Sequence, residues 1–145
     1  MTIADTNSVR FVLAATVVVL LVGCGPGGPE TIPIHGTVKL ENGKVPGNCT
    51  VYFQPTEVAD GDPLRPATAN VDEAGEFEVT SFHEGDGLVP GTYQVKIVYF
   101  TLRPGGNPEI EGHWQEHTRV MDNLTVESGK RQAEKLDYRL PVRGS

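Results

Sequence analysis

The residues whose spacing comes closest to a catalytic arrangement are His113, Glu116 and His117, which form the pattern H-x-x-E-H. On one face of a long helix, two such histidines can bind zinc while the glutamate activates a water molecule. Gly112 precedes the pattern, and the run 105–108 contains two glycines and a proline, so a long helix is not expected here. The pattern therefore predicts a polar surface loop, and a metal-dependent hydrolase is a distant alternative.

Acidic residues also gather in three predicted loops, as Asp60 with Asp62, as Asp72, and as Glu84 with Asp86. Calcium requires about six or more oxygen ligands that converge on one point, and none of these loops has the pattern of an EF-hand. Aspartate is common in turns because its side chain accepts hydrogen bonds from the turn backbone. We expect these residues to be turn formers, and we predict no catalytic residue, no metal site and no cofactor.

Trp114, the only tryptophan, could form an aromatic platform for a sugar ring together with Tyr99 and Phe100. A carbohydrate-binding module that uses Trp114 is therefore an alternative function. The interpretation that we favour places Tyr99 in the core and Trp114 over a sheet edge, since large aromatic side chains are usually mostly buried.

The N-terminal region has the composition of an export signal. Residues 11–22 read FVLAATVVVLLV, twelve apolar or small residues without a charge, and Arg10 stands directly before them. A membrane-spanning helix needs about 20 apolar residues. The shorter run is typical of the apolar region of a secretory signal peptide, which is removed from the mature protein.

The run ends in Leu21-Val22-Gly23-Cys24, which resembles the lipobox of bacterial lipoproteins. The resemblance implies cleavage before Cys24 and attachment of two or three acyl chains to that cysteine, enough for stable anchoring. We therefore predict a signal peptide at 1–23, a flexible tether at 24–31 and one domain at 32–142, held on the extracytoplasmic side of a membrane in the bacterial cell envelope. An ordinary signal peptide with a chance cysteine, or a disulfide between Cys24 and Cys49, is the weaker interpretation.

The charge of the chain limits its partners. Removing residues 1–23 takes away one arginine and one aspartate, so the formal charge stays at −7. A net acidic surface repels nucleic-acid phosphates, and it offers no basic patch to an anionic membrane. We expect no nucleic-acid partner, and we expect the lipid on Cys24 to provide the membrane attachment.

Period-two alternation of apolar and polar residues runs through the rest of the chain and predicts β-strands separated by turns such as Asn42-Gly43 and Pro90-Gly91. Each strand has one apolar face, which must be buried against a second sheet. The sequence predicts an all-β fold, a seven-stranded antiparallel sandwich of Greek-key type. The seven predicted strands lie at 32–40, 49–54, 67–71, 76–80, 92–99, 123–127 and 135–140.

Several of these segments resemble carboxypeptidase regulatory-like domains, which are transthyretin-like β-sandwiches. The resemblance rests on Gly36-Thr-Val-Lys-Leu, Gly43-Lys-Val-Pro-Gly, Val51-Tyr-Phe-Gln-Pro, the segment 71–79 and Gly91-Thr-Tyr-Gln-Val-Lys-Ile. These motifs are turns and core positions, so they imply a fold and carry no chemistry. We expect a non-enzymatic interaction or structural module whose partner is an envelope protein or a glycan.

The connection 101–122 is much longer than the usual loop of about four to six residues. Loops of this length are commonly functional, and tryptophan and arginine are enriched at binding hot spots. We predict that residues 103–119 form an ordered flap along a sheet edge, with Arg103, Trp114 and Arg119 as the candidate recognition surface. A flap that only shields the edge is the alternative.

Cys49 shares a face with Val51 and Phe53, and we expect it to be buried and unpaired.

Overall fold

A computed structural model describes residues 27–129 and 134–142 of the protein. The predicted signal peptide at 1–23 and Cys24 lie outside the described residues. None of the residues described belongs to a helix that is long and apolar enough to cross a bilayer.

The described part of the chain forms eight strands and one short 3-10 turn, Glu111–His113. The strands are β1 Ile34–Leu40, β2 Gly47–Val58, β3 Ala67–Asn70, β4 Glu76–Glu78, β5 Gly91–Leu102, β6 Trp114–Val120, β7 Leu124–Val126 and β8 Glu134–Leu140.

The strands form two sheets. One has the order β4-β1-β8, and the other has the order β3-β2-β5-β6, with β7 also paired to β5. Strand β2 covers one edge of β5. On the other edge β7 pairs with the start of β5 and β6 pairs with its second half, so both edges are covered along most of the strand. The central strand of the larger sheet is thereby shielded from pairing with other chains.

The apolar faces of the two sheets share one core. Alternate side chains of β1, β2 and β5 point inward, as the period-two pattern predicts, and Val38, Phe53 and Ile97 are fully buried. Phe77 of β4 and Leu140 of β8 complete the core on the side of the smaller sheet. The prediction of an all-β fold with two layers is therefore confirmed.

Two details of the sequence prediction are wrong. The described residues contain eight strands rather than seven, because β6 lies within the connection 101–122, where we expected an ordered flap along a sheet edge but did not predict a strand. The pairing is not antiparallel throughout, since β8 runs parallel to β1 with Gly36 opposite Leu136. Strand β6 was not predicted because its sequence shows no alternation of apolar and polar residues. It is an edge strand, and both of its faces are largely accessible to solvent.

The loops lie at two opposite ends of the domain. Gly75 lies close to Val45, and Trp114 lies close to Gly47, so the loops 41–46, 71–75 and 103–113 share one end, which we call the tip. At the other end, which we call the base, Ile32 pairs with Leu88. Glu30 also accepts hydrogen bonds at the base from the Ser128 hydroxyl (2.6 Å) and the Gly129 amide (2.9 Å).

Candidate functional site

Strands β3 and β4 are the two arms of a hairpin that divides between the sheets. The arms are joined near the tip, where the Asp72 amide donates to the Glu76 carbonyl at 2.9 Å. They meet again further down, where Thr68 and Thr80 exchange two backbone hydrogen bonds. Between these two points β3 pairs with β2, whereas β4 pairs with β1. The hairpin is therefore closed at both ends and open in the middle.

Asn70 and Glu78 face each other across this opening. The pairs 68/80 and 72/76 fix the register of the hairpin, and 70/78 is the pair between them. Neighbouring residues Val71 and Val79 bond to β2 and β1, so the main-chain groups of Asn70 and Glu78 point toward the gap by alternation. Among the described residues no β-bridge pairs Asn70 with Glu78, so the ladder between the two arms is interrupted at this point.

A groove of about 680 Å³ lies at the opening. Its floor is formed by Gly36, Ala69 and Phe77, and its walls come from β1, β3, β4 and the loop 81–87. An added Cβ at Gly36 would clash with the Leu136 carbonyl and with the Phe77 ring, so the floor is closely packed. The polar lining residues are His35, Thr37, Thr68, Asn70, Asp72, Glu76, Glu78, Thr80, Glu84 and Lys135.

The groove is acidic. Glu76, Glu78 and Glu84 are all exposed, and within the ranges 27–129 and 134–142 none of them has an ion-pair partner. Lys135 is the one lysine in the lining, and its ammonium group lies 4.0 Å from the Asp137 carboxylate outside the lining. The described part of the chain contains no group of three or more histidine, cysteine or acidic side chains close enough to hold a metal ion.

The loop 81–87 forms one wall of the groove and is held by Asp86. The Asp86 carboxylate accepts backbone hydrogen bonds from Ser81 (2.8 Å), Phe82 (3.0 Å) and His83 (3.0 Å). Partial burial raises the pKa of Asp86, but the three backbone donors and the nearby His83 outweigh it and bring that pKa below its ordinary value. Asp86 is therefore a turn former, as the sequence predicts.

Asp72 has the same kind of role at the tip. Its Oδ1 accepts hydrogen bonds from the amides of Ala74 (2.9 Å) and Glu76 (2.8 Å) and so fixes the turn that joins β3 to β4.

The groove itself was not predicted from the sequence. Its residues lie on the polar faces of four separate segments, and the only available indication was that Glu76 and Glu78 flank an inward-facing Phe77.

The second candidate region is the β5–β6 hairpin, which carries the H-x-x-E-H pattern. His113 ends the 3-10 turn, and its Nδ1 accepts a hydrogen bond from the Asn107 amide at 2.8 Å. His117 pairs with Tyr99 on the core side of β6, where its Nε2 lies 2.7 Å from the Thr101 hydroxyl. Glu116, the next residue back, faces the opposite side of the strand. The helical arrangement that zinc peptidase chemistry requires is not formed here.

Trp114 begins β6 opposite Leu102 and lies across the sheet toward β2. Its indole N–H donates to the Pro108 carbonyl at 3.0 Å. Its six-membered ring occupies the space next to Gly47, where an added Cβ would come within 2.7 Å of Cζ3. Trp114 is half-buried and closes the tip of the hairpin, and Tyr99 lies in the core, as the favoured interpretation of the sequence predicts for Tyr99.

Arg103 and Arg119, the other two candidate residues, lie far from each other. Arg103 follows β5, and its amide bonds to the His113 carbonyl, so it is next to Trp114 at the tip. Arg119 is opposite Ile97, on the face of β6 that also carries His117. Five residue steps of extended strand separate Arg119 from Trp114, about 17 Å. Arg103 and Trp114 therefore belong to one surface, and Arg119 belongs to another.

Cys49 is a free and buried thiol on the inward face of β2, as predicted. Desolvation by burial raises the pKa of Cys49 to about 12, so the reactive thiolate is negligibly populated at neutral pH. Burial, with a smaller contribution from Asp62, also raises the pKa of Tyr93 to about 12.

Comparison of the chain with known protein families, with curated proteins and with solved structures gives no match. The resemblances to bacterial lipoproteins and to carboxypeptidase regulatory-like domains therefore rest on the sequence motifs alone.

Proposed function

We propose that this protein is a lipoprotein of the bacterial cell envelope, anchored through Cys24, whose β domain acts as a non-enzymatic interaction or structural module. The observation that carries the proposal is the position of Leu21-Val22-Gly23-Cys24 at the end of the apolar run 11–22. An apolar residue and two small or slim residues before a cysteine suit entry into a peptidase cleft, and the thiol is the group that takes the lipid.

The base of the domain supports this arrangement because the chain is attached there. Six residue steps separate Cys24 from Glu30, whose carboxylate is bonded to Ser128 and Gly129. A fully extended chain of that length spans about 20 Å. A lipid on Cys24 would thus hold the base close to the membrane and direct the tip, with its three loops, toward partners.

The fold is proposed to be a Greek-key sandwich of the transthyretin-like kind. Strand β4 pairs with β1, and β5 pairs with β2, and these connections between strands that are not consecutive in the chain support the Greek-key proposal. Tyr93, near the start of β5, donates its hydroxyl hydrogen bond to the Val89 carbonyl four residues upstream at 2.6 Å. Such a tyrosine corner is typical of Greek-key sandwiches.

The tip is the proposed recognition surface, with Arg103 and the β5–β6 loop as its exposed parts. Carbohydrate binding through Trp114 is less well supported, since the indole N–H and one edge of the ring are already engaged by Pro108 and Gly47. An envelope protein therefore remains the favoured partner of the tip.

The anchor is tested with the two cysteines as a matched pair. The Cys24→Ala variant should leave the membrane fraction or accumulate as uncleaved precursor, and it should not incorporate labelled fatty acid. The Cys49→Ala variant also loses a thiol, and it should be processed, labelled and retained like the wild type. If Cys24→Ala is processed normally and stays on the membrane after a salt wash, the lipoprotein proposal is wrong.

A further inference from the structure

The outward faces of the two sheets differ in their charge. Each cross-strand row of the smaller sheet contains charged side chains, from Lys39, Glu76, Glu78, Lys135, Asp137 and Arg139. The three middle rows of the larger sheet carry uncharged polar and aromatic side chains instead, among them Thr50, Tyr52, Gln54, Thr68, Gln94 and Thr118. Lys96 is the one charged residue in these three rows of the described strands. In a protein with a net charge of −7, this face suits an uncharged ligand better than an ion.

Tyr52 gives this face an exposed aromatic ring. Tyr52 is 39% exposed, whereas Phe77 in the groove is 4% exposed. It lies directly opposite Lys96, whose Nζ is 5.5 Å from the centre of the Tyr52 ring, within cation–π distance. The ring offers apolar surface together with a polar hydroxyl at its edge. Such a side chain can contact the C–H face of a sugar ring and bond to its hydroxyl groups.

A cleft of about 160 Å³ adjoins Tyr52, and Gln54, Gln94, Pro66 and Lys96 contribute to its lining. The two glutamines are paired across β2 and β5, and both are exposed. Each side-chain amide has two hydrogen-bond donors and one acceptor oxygen. Sugar hydroxyls also donate and accept, so they can use both halves of each amide. The cleft is smaller than the roughly 300 Å³ of an ordinary small-molecule site, and it therefore suits one ring of a chain that continues across the face.

We propose that the outward face of the larger sheet binds a neutral glycan chain. One sugar ring lies against Tyr52, and its hydroxyls bond to the side-chain amides of Gln54 and Gln94. The site is distinct from the tip, because Lys96, opposite Tyr52, and Leu102, opposite Trp114, are six residue steps of β5 apart, about 20 Å. It belongs to the β domain alone and does not depend on the lipid anchor, so the two proposals can fail separately.

The test titrates the full chain, held in a detergent without a sugar headgroup, with the neutral tetrasaccharides cellotetraose and chitotetraose. Two-dimensional NMR of the backbone and indole N–H groups follows the titration. We expect saturable shifts with at least one of the two probes. The shifts should centre on Tyr52 and Gln94, and the Trp114 indole signal should stay in place.

Variants separate the ring, the amides and the tip. Y52A should bind the probe about tenfold more weakly, whereas Y52F keeps the ring and should stay within about threefold of the wild type. Q54A/Q94A should also lose about tenfold in affinity. The matched control Q115A removes an exposed glutamine from the opposite face of β6 and should bind like the wild type. Circular dichroism checks that each variant remains folded.

Four results would overturn the proposal. The first is the absence of saturable binding with both tetrasaccharides. The second is unchanged affinity in Y52A. The third is a loss of binding in W114A while Y52A still binds, which would place glycan recognition at the tip. The fourth is much tighter binding of the acidic tetrasaccharide of galacturonic acid, which would make the face an anion site at Lys96.

Discussion

The β3–β4 and β5–β6 hairpins are built from the same elements and end at the same tip, yet one is open and the other is closed. Both arms of β5–β6 stay in one sheet, and seven consecutive residue pairs join them from Lys96 to Leu102. The arms of β3–β4 enter different sheets, and the register is interrupted at the pair Asn70/Glu78. Whether a hairpin leaves a groove thus depends on the sheet that each arm joins.

The packing around the two hairpins differs accordingly. The tip of β5–β6 is filled by a single large side chain, Trp114, which uses the space that Gly47 leaves free. The open hairpin has a glycine in its floor, Gly36, and here the space is taken by the Phe77 ring and the Leu136 backbone. In both regions a glycine permits close approach of a neighbouring group. At Gly47 that group is the Trp114 side chain, whereas at Gly36 it includes the Leu136 backbone, which cannot move aside.

The largest expected effect is on stability, and it compares a glycine in the groove floor with a glycine in the β5–β6 loop. Gly36→Ala introduces a Cβ that clashes with the Leu136 carbonyl and lies 2.7 Å from the Phe77 ring, so we expect a loss of about 3 kcal/mol in the free energy of unfolding. Gly112→Ala, in the β5–β6 loop, meets no atom within 4 Å and should change stability very little. Urea unfolding of both variants measures the difference. Equal stabilities would show that the groove floor is not rigid.

A second, smaller effect concerns the closed hairpin. Trp114→Ala removes a half-buried ring and should cost about 2 kcal/mol of stability. Gly47→Ala should cost about 1 kcal/mol in the wild type, because its Cβ meets that ring, and almost nothing when Trp114 is already alanine. A double-mutant cycle measures the coupling. If the two stability losses were additive, the indole would not pack against Gly47 in solution, and the carbohydrate-binding alternative would gain support.

The strands that the sequence predicted are those with one buried and one exposed face. In β1, β2 and β5 the inward positions alternate strictly, so the period of two was visible in the residue types. Strand β6 has no buried residue, and its pairing is decided by the neighbouring strand rather than by its own pattern. The parallel pairing of β8 with β1 was also unpredictable, since nothing local to either strand specifies its neighbour.

The candidate site was predicted less well than the fold, for a physical reason. The turn roles of Asp72 and Asp86 are local, because each carboxylate bonds to amides within five residues, and the sequence suggested them correctly. The groove depends on the long-range placement of β3 and β4 in separate sheets. A polar residue on a strand gives no sign in the sequence of what lies across from it.

The smallest expected effect compares how the two regions respond to acid. The groove wall depends on an ionised carboxylate, Asp86, whose pKa is lowered in the folded protein. The Trp114 indole at the tip of β5–β6 is instead held by the Pro108 carbonyl, an acceptor that does not titrate in this range. Because the folded-state pKa of Asp86 is depressed, its stabilisation is complete above the unfolded-state pKa of about 4 and is lost as the pH falls through the folded-state pKa.

We therefore expect Asp86→Asn to lower the free energy of unfolding by about 1 kcal/mol at pH 7, since the amide keeps one acceptor oxygen of two. The difference from the wild type should shrink steadily below about pH 4 as Asp86 in the wild type takes up a proton. Asp60→Asn, at an exposed position whose side chain makes no hydrogen bond to another described residue, is the matched control and should show neither effect. Urea unfolding across this pH range gives both quantities. A difference that stays constant into acid would mean that the shape of the side chain, rather than its charge, holds the loop 81–87. The groove wall would then be no more sensitive to pH than the hydrogen bond between Trp114 and Pro108.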